Sequence, residues 1–113
     1  MKYPVRMLAF CSESGEPVVI REVEVPDTEL EKVTRNPDPE EAVASLLQEV
    51  FYYGQNEFQP QKLPSVSAGD VIDLGERGLY LVRFLGFRKL SQEQVKFYEA
   101  MPLGVRLTEA IFQ

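Results

Sequence analysis

Ser65-Val66-Ser67-Ala68-Gly69-Asp70-Val71-Ile72-Asp73-Leu74 is followed by Gly75-Glu76-Arg77-Gly78 and then by Leu79-Tyr80-Leu81-Val82-Arg83-Phe84-Leu85-Gly86-Phe87. This stretch decides the fold. Ser65–Gly69 has the composition of a turn, because Ser and Gly satisfy or permit the backbone conformations a turn needs. Val71–Leu74 and Leu79–Phe87 then read as two strands joined by a four-residue loop with glycine at both ends, a plausible hairpin. The second strand is almost continuously apolar, which predicts a central strand covered on both faces. Gly86 inside it marks a bulge or a close backbone approach.

Upstream, Tyr3, Val5, Met7 and Ala9 alternate with Pro4, Arg6, Leu8 and Phe10. Period-two spacing of β-branched and aromatic residues predicts a strand. Pro4 is near its start, where a missing N–H is tolerated. Ser12–Pro17 has turn chemistry. Val18–Val25 is a partner strand, with Val19, Arg21, Val23 and Val25 on one face, and the two strands can pair as an antiparallel hairpin. A short helix from about Asp27 to Thr34 is expected, capped by Asp27 or Thr28.

A longer helix is expected over about 39–53. Asp38 is a suitable N-cap, Pro39 suits the first turn, and Glu41 has capping-box spacing. Val43, Leu46, Leu47, Val50 and Phe51 form its apolar stripe. Gly54 is expected to end it in a left-handed conformation. A second capped helix starts after Ser91, with Gln94 at capping-box spacing and Leu90 positioned to staple onto Val95; it runs to about Met101. The tail Leu103–Gln113 is ambiguous between strand and helical turn. The elements sum to one α+β domain over 1–113: an antiparallel sheet of four to five strands, the 39–53 helix on one face and the 91–101 helix near an end. A small SH3-like or PUA-like barrel is the alternative.

The chain of 113 residues has 44% hydrophobic and 27% charged residues, which suits a single folded domain. Its net charge of −6 is uneven: residues 1–60 carry five Lys/Arg and 12 Asp/Glu, whereas residues 61–113 carry seven and six. An acidic N-terminal half opposes non-specific contact with nucleic acid or membrane, which are both anionic. One cysteine, Cys11, cannot form an internal disulfide. With no signal-like start and no apolar run near the ~20 residues of a membrane span, a soluble cytoplasmic protein is expected.

The sequence contains no histidine. That removes the commonest general base and metal ligand, and every Ser-His or Cys-His dyad. No zinc-ligand spacing, dinucleotide fingerprint or P-loop occurs. Cys11 reads as a small apolar residue at a strand end. Asp70 and Asp73, three apart on an extended strand, point to opposite faces and do not share an acid–base site. Ser65 and Ser67 lack a base and read as turn caps; Asp70 reads as a turn residue that binds local N–H groups. No enzyme, cofactor or metal is expected.

The 54–69 segment has no clear period, and a long structureless loop in a compact domain is often functional. Phe58 and Leu63 are expected to pin it to the core. It opens on Tyr52-Tyr53-Gly54-Gln55-Asn56, a polar-aromatic cluster at a helix end of the kind found on recognition surfaces. Tyr53, Gln55, Asn56, Ser65, Ser67 and Asp70 are therefore the expected binding residues, toward a protein partner or a second copy of the chain. The competing reading is nucleic-acid or nucleotide binding by Arg83, Arg88, Lys89 and Lys96 with Tyr80 and Phe84. Arg83 and Phe84 fall on opposite faces of an unbroken strand, which argues against it.

Phe51–Asn56, Leu63–Ile72 and Gly86-Phe87 together resemble the YodL-like domain and related small bacterial proteins. Those proteins carry a helix ending near an Asn, a Ser-x-Ser-x-x-Asp-Val-hydrophobic motif, and a Tyr-containing strand closing on Gly-Phe. Ser65, Ser67, Asp70, Val71, Tyr80, Gly86 and Phe87 match, and Ala68-Gly69 resembles a Gly-Asp variant of the motif. The resemblance covers about residues 50–90. It implies a mobile-element accessory protein and supplies no activity or catalytic residue.

Overall fold

A computed structural model describes residues 1–7, 20–55 and 66–100. Cys11, the 12–17 turn, Val18, Val19, Asn56, Phe58, Leu63, Ser65 and the tail after 100 lie outside the described residues. The elements are β1 (Lys2–Arg6), β2 (Ile20–Glu24), α1 (Asp27–Arg35), α2 (Pro39–Tyr53), β3 (Val71–Asp73), β4 (Leu79–Val82), β5 (Phe87–Leu90) and α3 (Gln92–Ala100). The strands form one open antiparallel sheet in the order β2-β1-β3-β4-β5. The fold is α+β as expected, and the barrel alternative fails because β2 and β5 remain separate edges.

Side-chain alternation sends the sheet's two faces to two cores. Tyr3, Val5, Met7, Val23, Val25, Ile72 and Val82 face α1 and α2, where Val33, Leu46, Leu47 and Val50 meet them. Val71 and Leu81 face the other way and pack with Leu90 and Val95 of α3. The second helix thus reaches the β5 end as expected, but on the face opposite α2. The Arg6 guanidinium donates to Glu99 at 2.7 Å and ties α3 back to β1.

The Val25 N–H donates to Met1 C=O at 2.9 Å, which fixes the alternation along β1 and β2. Pro4, opposite Glu22, therefore falls at a non-hydrogen-bonded pair with its missing N–H on the β3 side. Pairing of β1 with β3 stops one residue short of it, at Val5↔Ile72. The proline ends the central seam on that side, and among the described residues the seam holds two pairs.

Several local expectations hold. Asp38 caps α2 by accepting the Glu40 N–H at 2.9 Å. Ser91 and Gln94 form a reciprocal capping box, at 2.8 and 3.1 Å, with Leu90 and Val95 buried together. Others are corrected. Glu41 does not reach back to Asp38, because Asn36 Oδ1 already accepts the Asp38 N–H and the Asn36 amide donates to Glu41. Helix α1 has no side-chain cap; it starts on the Pro26 carbonyl, which accepts from Glu29 and Leu30. Phe51 leaves the apolar stripe and is exposed, while Ala42 joins the core.

The largest correction concerns 79–87. It is not one central strand. Val82 ends β4, Arg83–Gly86 turns with the Arg83 N–H donating to Gly86 C=O at 3.0 Å, and Phe87 opens β5. Gly86 supplies the turn's positive φ of 84°, a conformation that costs glycine little.

Gly54 was also expected for the wrong reason. Its φ of −75° is right-handed, so no left-handed cap requires glycine. A Cβ there would overlap the Val66 Cγ2 and sit 2.9 Å from Val50 O. The glycine is needed because the chain returns across the helix end, where the Val66 N–H donates to Gly54 O at 3.2 Å. Valine is stiff at χ1 and cannot swing aside freely. Gly54→Ala is therefore expected to destabilise the protein by about 1–3 kcal/mol, read from urea unfolding; an unchanged or raised stability would contradict the close approach.

Candidate functional site

Helix α2 leans toward β2 and α1 and leaves the β4–β5 side of the same face incompletely covered. Tyr80 and Phe87 are only partly buried there. Between them and the α2 residues Val43, Ala44 and Leu47 lies a groove of about 750 Å³. A second depression of about 470 Å³ adjoins it, sharing Gln48, Gly86 and Phe87 as walls. Phe51, Tyr52 and Gln55 from the end of α2, and Arg83 and Phe84 from the β4–β5 turn, line this second part.

The rim is apolar and open. Phe84 and Leu85 at the turn tip are 72% and 80% exposed, Tyr52 is 53% and Phe51 37%. Scattered single apolar residues on a surface are ordinary, but large ones gathered around a concavity mark interaction sites. Sequence reading missed Phe84 and Leu85 because they sat inside an assumed buried strand. The available signal was length: nine residues exceed the usual five or six of a strand, and a glycine, Gly86, stands one residue before its expected end.

The expected binding residues divide. Tyr53 packs on the core and meets Tyr52 edge to face, ring centroids 5.1 Å apart. The Gln55 amide donates to Phe51 O at 2.8 Å and to Val66 O at 3.2 Å, bridging the two ends of the 56–65 segment. Asn56 and Ser65 lie outside the described residues. Asp70 is fully buried, and its Oδ2 accepts the Ser67 N–H at 2.9 Å while its own N–H donates to Ser67 O at 3.0 Å. Tyr53, Gln55 and Ser67 are thus gathered near the Gly54–Val66 crossing, whereas Asp70 is a structural member of a turn with no surface for a partner.

Asp73 accepts the Gly75 N–H at 2.7 Å, so each aspartate serves its own turn. No cluster of three or more potential metal ligands occurs among the described residues. Five cations around this region, Arg77, Arg83, Arg88, Lys89 and Lys96, make no ion pair among the described residues, in contrast to Lys2, Arg6 and Lys32. The Arg83 Nε is buried with no hydrogen-bond partner among the described residues, an arrangement that costs stability unless an acceptor arrives.

No family model, curated protein or solved structure matches this chain.

Two stability predictions follow from these contacts. Asp70→Ala removes a charge-assisted acceptor from a fully buried turn and is expected to cost about 1.5–3 kcal/mol by denaturant unfolding; a loss below about 0.5 kcal/mol, the ordinary surface value, would return Asp70 to the list of binding residues. Glu49, on the groove wall, has its carboxyl pushed up by burial and by Glu29, with Lys32 opposing. A raised folded-state value means that its stabilising contribution is complete below the unfolded value and lost as pH rises through the folded one. Glu49→Gln should therefore raise the melting temperature at pH 7 and bring no gain below about pH 4; an equal gain at both pH values would rule out the ionisation as its cause.

Proposed function

We propose that this protein is a non-enzymatic protein-interaction module that holds its partner on the apolar rim formed by the end of α2 and the β4–β5 turn. One observation carries the reading: Phe51, Tyr52 and Phe84, three large apolar side chains from two separate elements, stand exposed on the wall of one groove, with the exposed Leu85 next to Phe84 at the turn tip. Aromatic anchors over a concavity are where binding energy concentrates at protein interfaces. The expected 54–69 loop contributes Gln55 to the wall; the anchors lie outside it. The partner is a second protein or a second copy of the chain.

None of the described helices is long and apolar enough to cross a membrane. Cytoplasmic residence belongs to the proposal. So does an accessory role in a mobile element, which rests on the resemblance of Ser65, Ser67, Asp70, Val71, Tyr80, Gly86 and Phe87 to the YodL-like domain.

The test is affinity capture from the native host with the wild-type chain and a Phe84→Ser/Leu85→Ser variant, folding checked by circular dichroism, beside sedimentation of each alone. The wild type is expected to retain a stoichiometric partner, or to self-associate, and the variant to do neither. Identical behaviour of the two proteins would overturn the reading. A nucleic-acid-binding module is the second reading, favoured by Arg83, Arg88, Lys89 and Lys96, cations without ion pairs among the described residues. It requires salt-sensitive binding of a labelled single-stranded oligonucleotide, and fails if none is seen at low salt.

A further inference from the structure

Strand β5 is an edge of the sheet, and its outer side is unoccupied among the described residues. The Arg83–Gly86 hydrogen bond sets the alternation between β4 and β5. Val82 turns its N–H and C=O toward the β3 side, to Asp70 O and the Gly69 N–H, both at 2.8 Å. Its partner Phe87 therefore belongs to a non-hydrogen-bonded pair, and so does Lys89 opposite Tyr80. The main-chain N–H and C=O groups of Phe87 and Lys89 point away from β4, on a side where no other described strand pairs with them. Arg88 and Leu90 point theirs inward.

An exposed edge of this kind is a template for another strand. Many proteins blunt such edges with lysine, and Lys89 alone would read that way. Two further features distinguish β5. The α2-side groove runs beside it, with Phe87 and Lys89 on its wall, so a strand added at this edge would direct alternate side chains toward Val43, Ala44 and Leu47. The charge is also concentrated: residues 77–96 hold five cations and one carboxylate, Glu93, a net of +4 in a chain whose net is −6. None of the five cations has an ion pair among the described residues.

We infer that the free edge of β5 takes an extended acidic segment of a partner protein as a sixth strand, main chain against Phe87 and Lys89, apolar side chains toward the α2 groove and carboxylates beside Arg88 on the opposite face. This rests on the interaction-module reading and names its partner's chemistry. Strand addition draws affinity from the main chain and specificity from alternate side chains, which fits an edge with a groove on one face. A second copy joined β5 to β5 would set Arg88 and Lys89 against the same residues, and like charges across a strand pair are destabilising. Single-stranded nucleic acid would satisfy the cations but has no main chain with N–H and C=O groups at strand spacing to pair with those of Phe87 and Lys89.

The probe is a fluorescein-labelled octapeptide alternating valine and glutamate, titrated into the full chain at low salt and read by anisotropy. Two further peptides carry N-methyl groups on all valines or on all glutamates. Alternate N–H groups of a strand face the same neighbour, so one N-methyl set is expected to weaken binding at least tenfold and the other to leave it nearly unchanged. A peptide with lysine in place of glutamate should bind at least tenfold more weakly than the parent. Lys89→Pro removes an outward N–H while sparing the ladder to β4, and should also weaken binding tenfold or more. If that variant melts early, Arg88→Glu provides the same reading through charge. Equal binding of all three glutamate peptides, or binding of an oligonucleotide with none of the peptide, overturns strand addition. If the Phe84→Ser/Leu85→Ser variant loses its natural partner while the N-methyl peptides bind alike, the interaction module stands and the sixth strand falls.

Discussion

Strand β3 is three residues long, and both halves of the protein hang on it. Val71 and Ile72 are each fully buried, on opposite faces, in different cores. A register slip of one residue would exchange those faces and empty both cores together. The register is held from one end by the Ser67–Asp70 turn. The buried carboxylate closes that turn, and Gly69 and Asp70 then clasp Val82 through two main-chain bonds of 2.8 Å. Among the described residues the N-terminal hairpin joins through Val5↔Ile72 and Arg6↔Val71. So short a seam is sufficient because side chains above and below it are packed, and because Arg6 reaches Glu99 on the far helix.

The candidate surface is a consequence of unequal covering. Helices α1 and α2 lie together toward β1 and β2, where Val23, Val25 and Val33 complete the core. Helix α3 takes the opposite face. The β4–β5 hairpin is therefore roofed from one side and open from the other, with Tyr80 and Phe87 half-covered and Phe84 and Leu85 at the tip left in water. The same hairpin bears cations without ion pairs among the described residues, while much of the acidic charge lies on β2, α1 and the start of α2. Apolar surface and positive charge thus occur together for one geometric reason: they are both on the part of the sheet that α2 does not reach.

How legible the chain was depended on how local each decision is. The Asp38 and Ser91 caps, the Leu90–Val95 staple and the alternation of Tyr3, Val5 and Met7 all involve neighbours within a few residues, and all were readable. So were the α+β class and the division of Asp70 from Asp73. The Arg83–Gly86 turn was missed because Leu79–Phe87 is apolar throughout, and periodicity does not separate a buried strand from two short strands joined by an apolar turn. Glu41 was misread because its competitor, Asn36, occupies the same N–H from the other direction. Gly54 was correctly marked as a helix end, yet the need for glycine comes from Val66, twelve residues away.

The sequence by itself determined the α+β class, α2 with its Asp38 cap, the Ser91–Gln94 capping box of α3, the alternating burial of β1 and β2, and the absence of histidine chemistry, because each is set by residue type and short-range spacing. Only the tertiary structure decided that Phe51, Phe84 and Leu85 are outside and Asp70 inside. That choice follows from where α2 and α3 settle on the sheet, and from β5 being an edge, which are properties of packing between segments distant in the chain.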